Sequence, residues 1–274
     1  MNKNLIFDVG MHKGEDTDFY LKKGFNVIGF EADPDLIKHC KERFKSEISN
    51  NSLIIVEGAI VNKNFKEDVV FYKNKKNTVW GTVLQDWADR NKADKAYSEI
   101  IRVKSVNFKE CLKEYGIPYF MKIDIEGMDL FCCETLLEFN ERPNFISIES
   151  NKINFCKLSN EINLFKKLGY DKFKIIQQDG ISKQKEISPS KEGNFLNYKF
   201  KEGSSGLFGE DLPGKWINST EALKRYKIIF LYYKLFGDKS FLRKFILTKI
   251  LLKIFRRVSG IPTPGWYDTH VKFN

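Results

Sequence analysis

The sequence predicts a doubly wound, Rossmann-like α/β sheet with helices on both faces. Three observations carry this prediction. Strand-length apolar runs alternate with helical periodicity from Leu5 to Val56 in a β-α-β-α-β rhythm, the pattern of parallel strands joined by crossover helices. The first strand ends in a glycine turn, Gly10-Met11-His12-Lys13-Gly14. The second ends in an acid, Glu31, 23 residues after Asp8, close to the ~20 residues expected before a ribose-binding carboxylate.

Taken in order, Leu5 to Val9 reads as the first strand, Glu15 to Lys23 as a helix stopped by Gly24, and Val27 to Phe30 as the second strand. Asp33-Pro34 opens a helix from about Asp35 to Lys45, since proline in a first turn gives up an N–H that would have no partner there. Leu53 to Val56 is the third strand, followed by Glu57-Gly58-Ala59. Asp68 to Tyr72 suggests a short strand in a hairpin or insertion, Asn77 to Asn91 a loop leading into a helix, and Asn107 to Tyr115 a helix ended by Gly116. Tyr119 to Ile123, Phe145 to Ile148 and Phe173 to Gln177 are the remaining strands, with helices from Leu130 to Phe139 and Ser159 to Leu168 between them.

Beyond Gln178 the pattern changes. Asp179 to Lys215 is polar and glycine-rich, with a strand expected near Phe195 to Phe200. Thr220 to Val258 reads as two basic amphipathic helices broken near Gly237-Asp238, and the tail GIPTPGWYDTHVKFN as irregular and aromatic. The expected division is a sheet domain over 1–215 and a basic helical appendage with its tail over 216–274.

With 274 residues, 42% hydrophobic and 30% charged, the chain can bury a sizeable core, which excludes a disordered polypeptide. The net charge of +10 is uneven: between Trp216 and Arg257 eleven basic residues face two acids, Glu221 and Asp238. Charge confined to one stretch suits a solvated helix packed on the core or on a second subunit, an anionic membrane surface met through 220–258, or a patch that steers a phosphorylated or nucleotide-linked sugar. No nucleic-acid motif accompanies it, and no nucleic-acid partner is expected. The five cysteines form no CxxC pair, which fits reduced thiols in the cytoplasm. The opening MNKNLIFDVG lacks a signal-peptide pattern, so a cytoplasmic location is expected, at most associated with the inner membrane face.

The first turn is not built for a pyrophosphate. It lacks both G-x-G-x-x-G and a GK[ST] loop, and it carries acids at Asp8, Glu15 and Asp16. Acids suit a cationic cofactor, and S-adenosylmethionine, with its sulfonium, ammonium and ribose, fits. Glu31 can accept hydrogen bonds from ribose hydroxyls.

DVGMHKGEDT, GFEADP, the GAI at Gly58 to Ile60 and MKIDIEGMD, in this order and spacing, resemble the FkbM family of S-adenosylmethionine-dependent methyltransferases. SSGLFGEDLPGKW and GWYDTH are similar to pieces of one branch of it. The resemblance covers Leu5 to Gln177. It implies a class I methyltransferase sheet and O-methylation, often of sugars or secondary metabolites. It also implies that Asp8, Gly10 and Gly14 lie in the cofactor turn, Glu31 on the ribose and Gly58-Ala59 near the adenine, and the expected cofactor site adds His12, Asp16, Thr17, Ala32, Asp33 and Asp124. Met11-His12 departs from the small or Asn residues more common in that turn.

Methyl transfer to oxygen needs a held acceptor and a route for its proton. Asp124, at the end of the fourth strand, His12 and Glu126 are the candidate catalytic groups. Trp80, Glu149 and His270 are the candidate substrate contacts. Asp124, Glu126 and Glu149 are the residues that would hold Mg²⁺ if it takes part. The expected function is O-methylation of a sugar or nucleotide-sugar hydroxyl by a possible homo-oligomer. The alternatives are a nicotinamide-dependent sugar oxidoreductase or epimerase, against which the missing glycine motif counts, and a non-catalytic membrane-surface scaffold.

Overall fold

A computed structural model of the chain describes residues 1–62, 67–93, 96–151, 154–201, 203–236, 250, 254 and 265–273. The elements in chain order are β1 (Asn2–Val9), α1 (Glu15–Lys22), β2 (Asn26–Glu31), α2 (Pro34–Arg43), α3 (Lys45–Ser49), β3 (Leu53–Glu57), β4 (Ala59–Ile60), β5 (Val69–Asn74), α4 (Gln85–Ala93), β6 (Ser98–Val103) and β7 (Ser105–Val106). There follow α5 (Phe108–Tyr115), β8 (Pro118–Ile123), α6 (Asp129–Thr135), β9 (Phe145–Glu149), α7 (Phe155–Lys167), β10 (Tyr170–Gln177), α8 (Ser219–Phe236) and β11 (Tyr267–Phe273).

Seven strands form the central sheet in the order β10-β11-β9-β8-β1-β2-β3. All neighbours are parallel except β11, which runs antiparallel to both β9 and β10. The order reverses beside β1, so the carboxyl ends of β1, β2 and β8 open the crevice where such sheets bind ligands. The helices start where local chemistry permits: Asp33 caps α2 by accepting from the Asp35 amide, and Asn154 caps α7 by accepting from the Cys156 and Lys157 amides. Each such cap stabilises its helix by about 1 kcal/mol.

The two sheet faces differ. Phe7, Val9, Met121, Ile123, Ile146 and Ile148 point into a core closed by α5, α6, α7 and α8. The opposite face holds Ile6, Phe120 and Phe145 under α1 and the segment that includes Phe200 and Phe208. Phe120 stacks on Phe208 at 4.7 Å between ring centroids, and truncating such a buried ring to alanine costs ~3–5 kcal/mol. This second face also carries a polar row across five strands, in register: Asp8, Lys122, Ser147, His270 and Lys174. All five are buried.

The structure corrects four expectations about elements. The C-terminal tail is not irregular: Tyr267–Phe273 is a strand in the middle of the sheet, so the sheet crosses the expected boundary at 215/216. Phe195 to Phe200 forms no strand, although Phe200 is buried among aromatic rings. The helix expected from Ser159 begins at Phe155, where Asn154 supplies the cap. The insert is a hairpin of β5 with β6, a pairing for which only the first strand was expected. The break near Gly237-Asp238 and most of the second basic helix lie outside the described residues.

Candidate active site

Strand β1 delivers the glycine turn directly beside the end of β8. The Asp124 amide donates to the Val9 carbonyl at 2.9 Å, and Lys122 Nζ donates to the Gly10 carbonyl at 2.9 Å. Gly10 sits at φ +87°, and a Cβ there would stand 2.1 Å from the Asp124 carbonyl oxygen. Only glycine permits that approach. The Gly10 and Met11 amides donate to the Phe30 carbonyl, tying the turn to β2. Met11 is buried against Gly29, where a Cβ would meet its sulfur at 2.6 Å. The larger residue in the turn is thus accommodated by a glycine on the neighbouring strand.

Around this turn lies an open cleft, at the strand ends where such sheets bind their ligands. Its lining includes Gly10, His12 and Asp16 from the first unit, Glu31, Ala32 and Asp33 from the second, Gly58 and Ala59 from the third, and Asp124 and Glu126 from the end of β8. The structure therefore gathers most of the residues expected at a cofactor site. Asp8 and Thr17 lie beneath it: Thr17 Oγ1 donates to Asp8 Oδ2 at 2.6 Å, and both residues are fully buried. Gly14 opens α1 at φ +76°, with the ring of Phe44 where a side chain would project.

Glu31 accepts from three backbone amides: Ala32 and Asp33 at 2.8 Å on Oε1, and His12 at 2.9 Å on Oε2. A carboxylate offers about four acceptor positions, so Oε2 keeps one for a ligand hydroxyl. Burial pushes the Glu31 carboxyl up to about 7, against the pull of those amides. Asp33 is occupied structurally. Besides capping α2 it accepts from Lys73 Nζ at 2.7 Å. At the other end, the Gly58 amide donates to the Glu31 carbonyl, and a Cβ on Gly58 would stand 2.4 Å from the Lys104 carbonyl oxygen.

The floor of the cavity is electrostatically unbalanced. Lys122 Nζ lies 3.3 Å from Asp8, 3.8 Å from Asp16 and 3.9 Å from Asp124, three carboxylates about one ammonium. Lost hydration alone would lower the Lys122 pKa, but the charges of Asp8, Asp124 and Asp16 hold it above the usual lysine range. Burial pushes Asp8 up and Asp16 up to about 7. Asp8 Oδ1 has no hydrogen-bond donor. Asp16 also accepts from the Ser205 amide at 2.8 and 3.1 Å, which seats the Gly203 segment over the turn. A net negative, glycine-lined cradle fits the ammonium and sulfonium of S-adenosylmethionine. Asp16 and Asp124 would face its charges with Asp8 beneath them, Glu31 its ribose, and Gly58-Ala59 its base.

His12, at φ +52°, bridges two walls: its Nδ1 is 3.3 Å from Glu15 Oε2 and its Nε2 2.7 Å from Thr78 Oγ1. Those partners imply an Nδ1–H tautomer with Nε2 accepting from Thr78, so Nε2 would act as a base only by releasing that hydroxyl. Glu126 stands opposite, at φ +48°. Its carbonyl accepts from Thr82 Oγ1, and its Oε2 lies 3.5 Å from the Arg90 guanidinium, which stacks 4.1 Å over Trp87. Asp129 holds this bend by accepting from the Ile125 and Gly127 amides. Burial, reinforced by the charges of Asp124 and Glu149, pushes Glu126 up to about 8.

The three candidate substrate residues are not brought to the cavity lining. Trp80 is half-buried beside it, with Thr78, Val79 and Gly81 forming the wall instead. Glu149 pairs in register with Asp268. His270 is buried between Ser147 and Lys174, where burial and the Lys174 charge push its pKa down to about 3. Among the described residues, no group of three or more His, Cys, Asp or Glu is placed to hold a metal ion. Sequence reasoning did not single out Lys122, Arg90, Thr78 or Asp129. Lys122 had a signal, because a lysine inside the apolar run YFMKI is a buried charge in need of partners.

The sheet order, with β11 antiparallel and the cavity at the ends of β1, β2 and β8, defines a class I methyltransferase fold. The profile of the FkbM methyltransferase domain matches residues 8–172. The chain belongs to this family, whose cofactor is S-adenosylmethionine. Among solved structures, a SAM dependent methyltransferase from Archaeoglobus fulgidus is 12% identical over 99% of this chain and 86% of its own, with a TM-score of 0.38. Precorrin-6y C5,15-methyltransferase from Geobacter metallireducens is 10% identical over 65% of this chain and 68% of its own, with a TM-score of 0.37. These likenesses are too slight to carry an argument, and the family rests on the domain match. No curated protein matches the sequence. No helix among the described residues is long and apolar enough to cross a membrane.

Proposed function

We propose that the chain is an O-methyltransferase acting on a hydroxyl of a sugar or nucleotide-activated sugar, in the making of a surface glycan or a secondary metabolite. The observation that carries this reading is Glu126, a shielded carboxylate in the cavity wall with Arg90 3.5 Å away. Bound S-adenosylmethionine supplies an electrophilic methyl group. The chain itself must position the acceptor and take its proton, because an alcohol is a poor nucleophile until that proton leaves. Glu126 holds a proton up to about pH 8, and Arg90 offsets the charge it carries when ionised. Asp124, half-exposed beside Lys122, borders the same space and can accept a second hydroxyl. Trp87, stacked under Arg90, holds that guanidinium toward Glu126.

Calorimetric titration with S-adenosylhomocysteine tests the cofactor site. Glu31→Ala is expected to weaken binding roughly tenfold or more, the worth of a charge-assisted hydrogen bond. Unchanged affinity would remove Glu31 from the ribose. Methyl transfer to a panel of nucleotide sugars and free sugars tests the acceptor class, and activity confined to protein or nucleic-acid acceptors would overturn it.

The base must be ionised to act, so the rate is expected to rise with pH through about 8 and then level. Glu126→Gln is expected to lower the rate and abolish the rise, and an unchanged profile would clear Glu126 of proton transfer. A rate that collapses with EDTA would place proton loss on a metal instead. The same raised pKa has a sign for stability. The folded chain binds this proton more tightly than the unfolded chain between the ordinary glutamate range and about 8. Ligand-free stability therefore falls as pH rises across that window, less steeply in Glu126→Gln.

A further inference from the structure

Helix α8 packs one side against the core through Ala222, Tyr226 and Ile229, which are buried. Its outward side is unusual for a face in water. Ile228 and Leu231 are 42% and 54% exposed, and at helical spacing they share a stripe with the exposed Lys224. Exposed Lys227 and Lys234 run along one flank and exposed Arg225 lies on the other, against one exposed acid, Glu221. Branched apolar residues in such a setting give up free energy to water without packing in return. Two further isoleucines are exposed. Ile250 and Ile254, one helical turn apart, are 51% and 54% exposed, and Lys249 and Lys253 precede them in the sequence.

We infer that the outer face of α8 docks on an anionic membrane surface, with Ile228 and Leu231 dipping into the headgroup region and Lys224, Arg225, Lys227 and Lys234 meeting the lipid phosphates. Charge complementarity argues for this partner over others. The stretch from Trp216 to Arg257 carries eleven bases and two acids, nearly the whole net charge of the chain. A self-contact would bring those like charges together. An anionic bilayer favours each of them and also receives the apolar stripe, the two terms that hold interfacial helices. The inference stands apart from the identity of the acceptor, since none of these residues lines the cavity.

The test is flotation of the 274-residue chain with vesicles of phosphatidylglycerol and phosphatidylethanolamine, in parallel with vesicles of phosphatidylcholine alone. Partition onto the anionic vesicles is expected to be at least about tenfold stronger and to weaken as salt rises. The pair Ile228→Ser/Leu231→Ser and the triple Lys224→Gln/Lys227→Gln/Lys234→Gln are each expected to lower that partition about tenfold or more. Both should keep the parent affinity for S-adenosylhomocysteine, which reports an intact fold. Equal partition onto both vesicle types, no partition, or variants that float like the parent would overturn the inference. So would a lipid-free chain that sediments as a dimer and becomes monomeric in either variant, because the face would then belong to a second copy.

Discussion

Lys122→Met is expected to destabilise the folded chain by about 3–5 kcal/mol, the cost of leaving buried charge without its partner. Asp8 is fully buried and Asp16 nearly so, with Lys122 the ammonium between them. Asp268, buried on the same face and pushed well up by burial and by Asp124 and Glu149, has its charge offset by the same lysine. Methionine fills a similar volume, so the effect is electrostatic. Urea denaturation at several pH values checks it. Without the lysine, Asp8 and Asp16 hold protons more tightly, so the folded variant binds more protons than the folded parent. Its deficit is therefore largest at high pH and shrinks as pH falls through about 7, where Asp16 already takes a proton in the parent. Asp8→Asn added to Lys122→Met should recover part of the loss. A deficit below about 1 kcal/mol, the range of an ordinary surface pair, would mean the lysine does not balance this cluster.

Gly10→Ala is expected to cost cofactor affinity about a hundredfold or more, with a loss of stability of a few kcal/mol. The new Cβ would lie 2.1 Å from the Asp124 carbonyl oxygen. Backbone cannot yield there without parting the ends of β1 and β8, and those ends form the cavity floor. Gly116→Ala is the control. It has a comparable φ of +85° but nothing within 4 Å of the added Cβ, so it should cost only the conformational strain of a glycine-favoured backbone, about 1–3 kcal/mol, and leave binding unchanged. Titration with S-adenosylhomocysteine and urea denaturation of the two variants separate the effects. Equal losses of affinity would show that the close approach at Gly10 is not what shapes the site.

The parallel half of the fold was legible because its signals are local. Apolar runs, a glycine turn and strand-end acids fall within a few residues of one another, and β1, β2, β3, β8 and β9 lie where those signals put them. The family motifs lie in the same region. Strand β11 was missed for the opposite reason: its partners are β9 and β10, far back in the chain. A period-two signal was present, with Tyr267, Thr269 and Val271 alternating with Asp268, His270 and Lys272, but its polar members do not mark a strand buried on both faces. They are buried because the second face of this sheet is polar in its centre. The same property hid Lys122, and it drew attention to His270 as a ligand when it occupies a register position beside Ser147 and Lys174. At the site, Asp8, Glu31, Asp124 and Glu126 were readable as strand-end carboxylates. Arg90 and Thr78 were not, because only the fold of the insert carries Thr78 to the cavity and Arg90 to Glu126.

Strand β11 also constrains the order in which the molecule can be finished. Among the described residues, strand β10 joins the sheet only through β11, and Tyr267 follows Gln177 by 90 residues. A ribosome adding residues at its usual pace needs roughly 5–20 s to cover that distance. Throughout it, β9 presents the unsatisfied amides and carbonyls of an apolar strand to its surroundings, the condition under which edges recruit other chains. The strands that carry the methyl-donor cradle have by then all been made. During translation the nascent chain thus carries a finished set of cradle strands beside an adhesive edge, and chaperone demand falls on the interval before Tyr267 emerges.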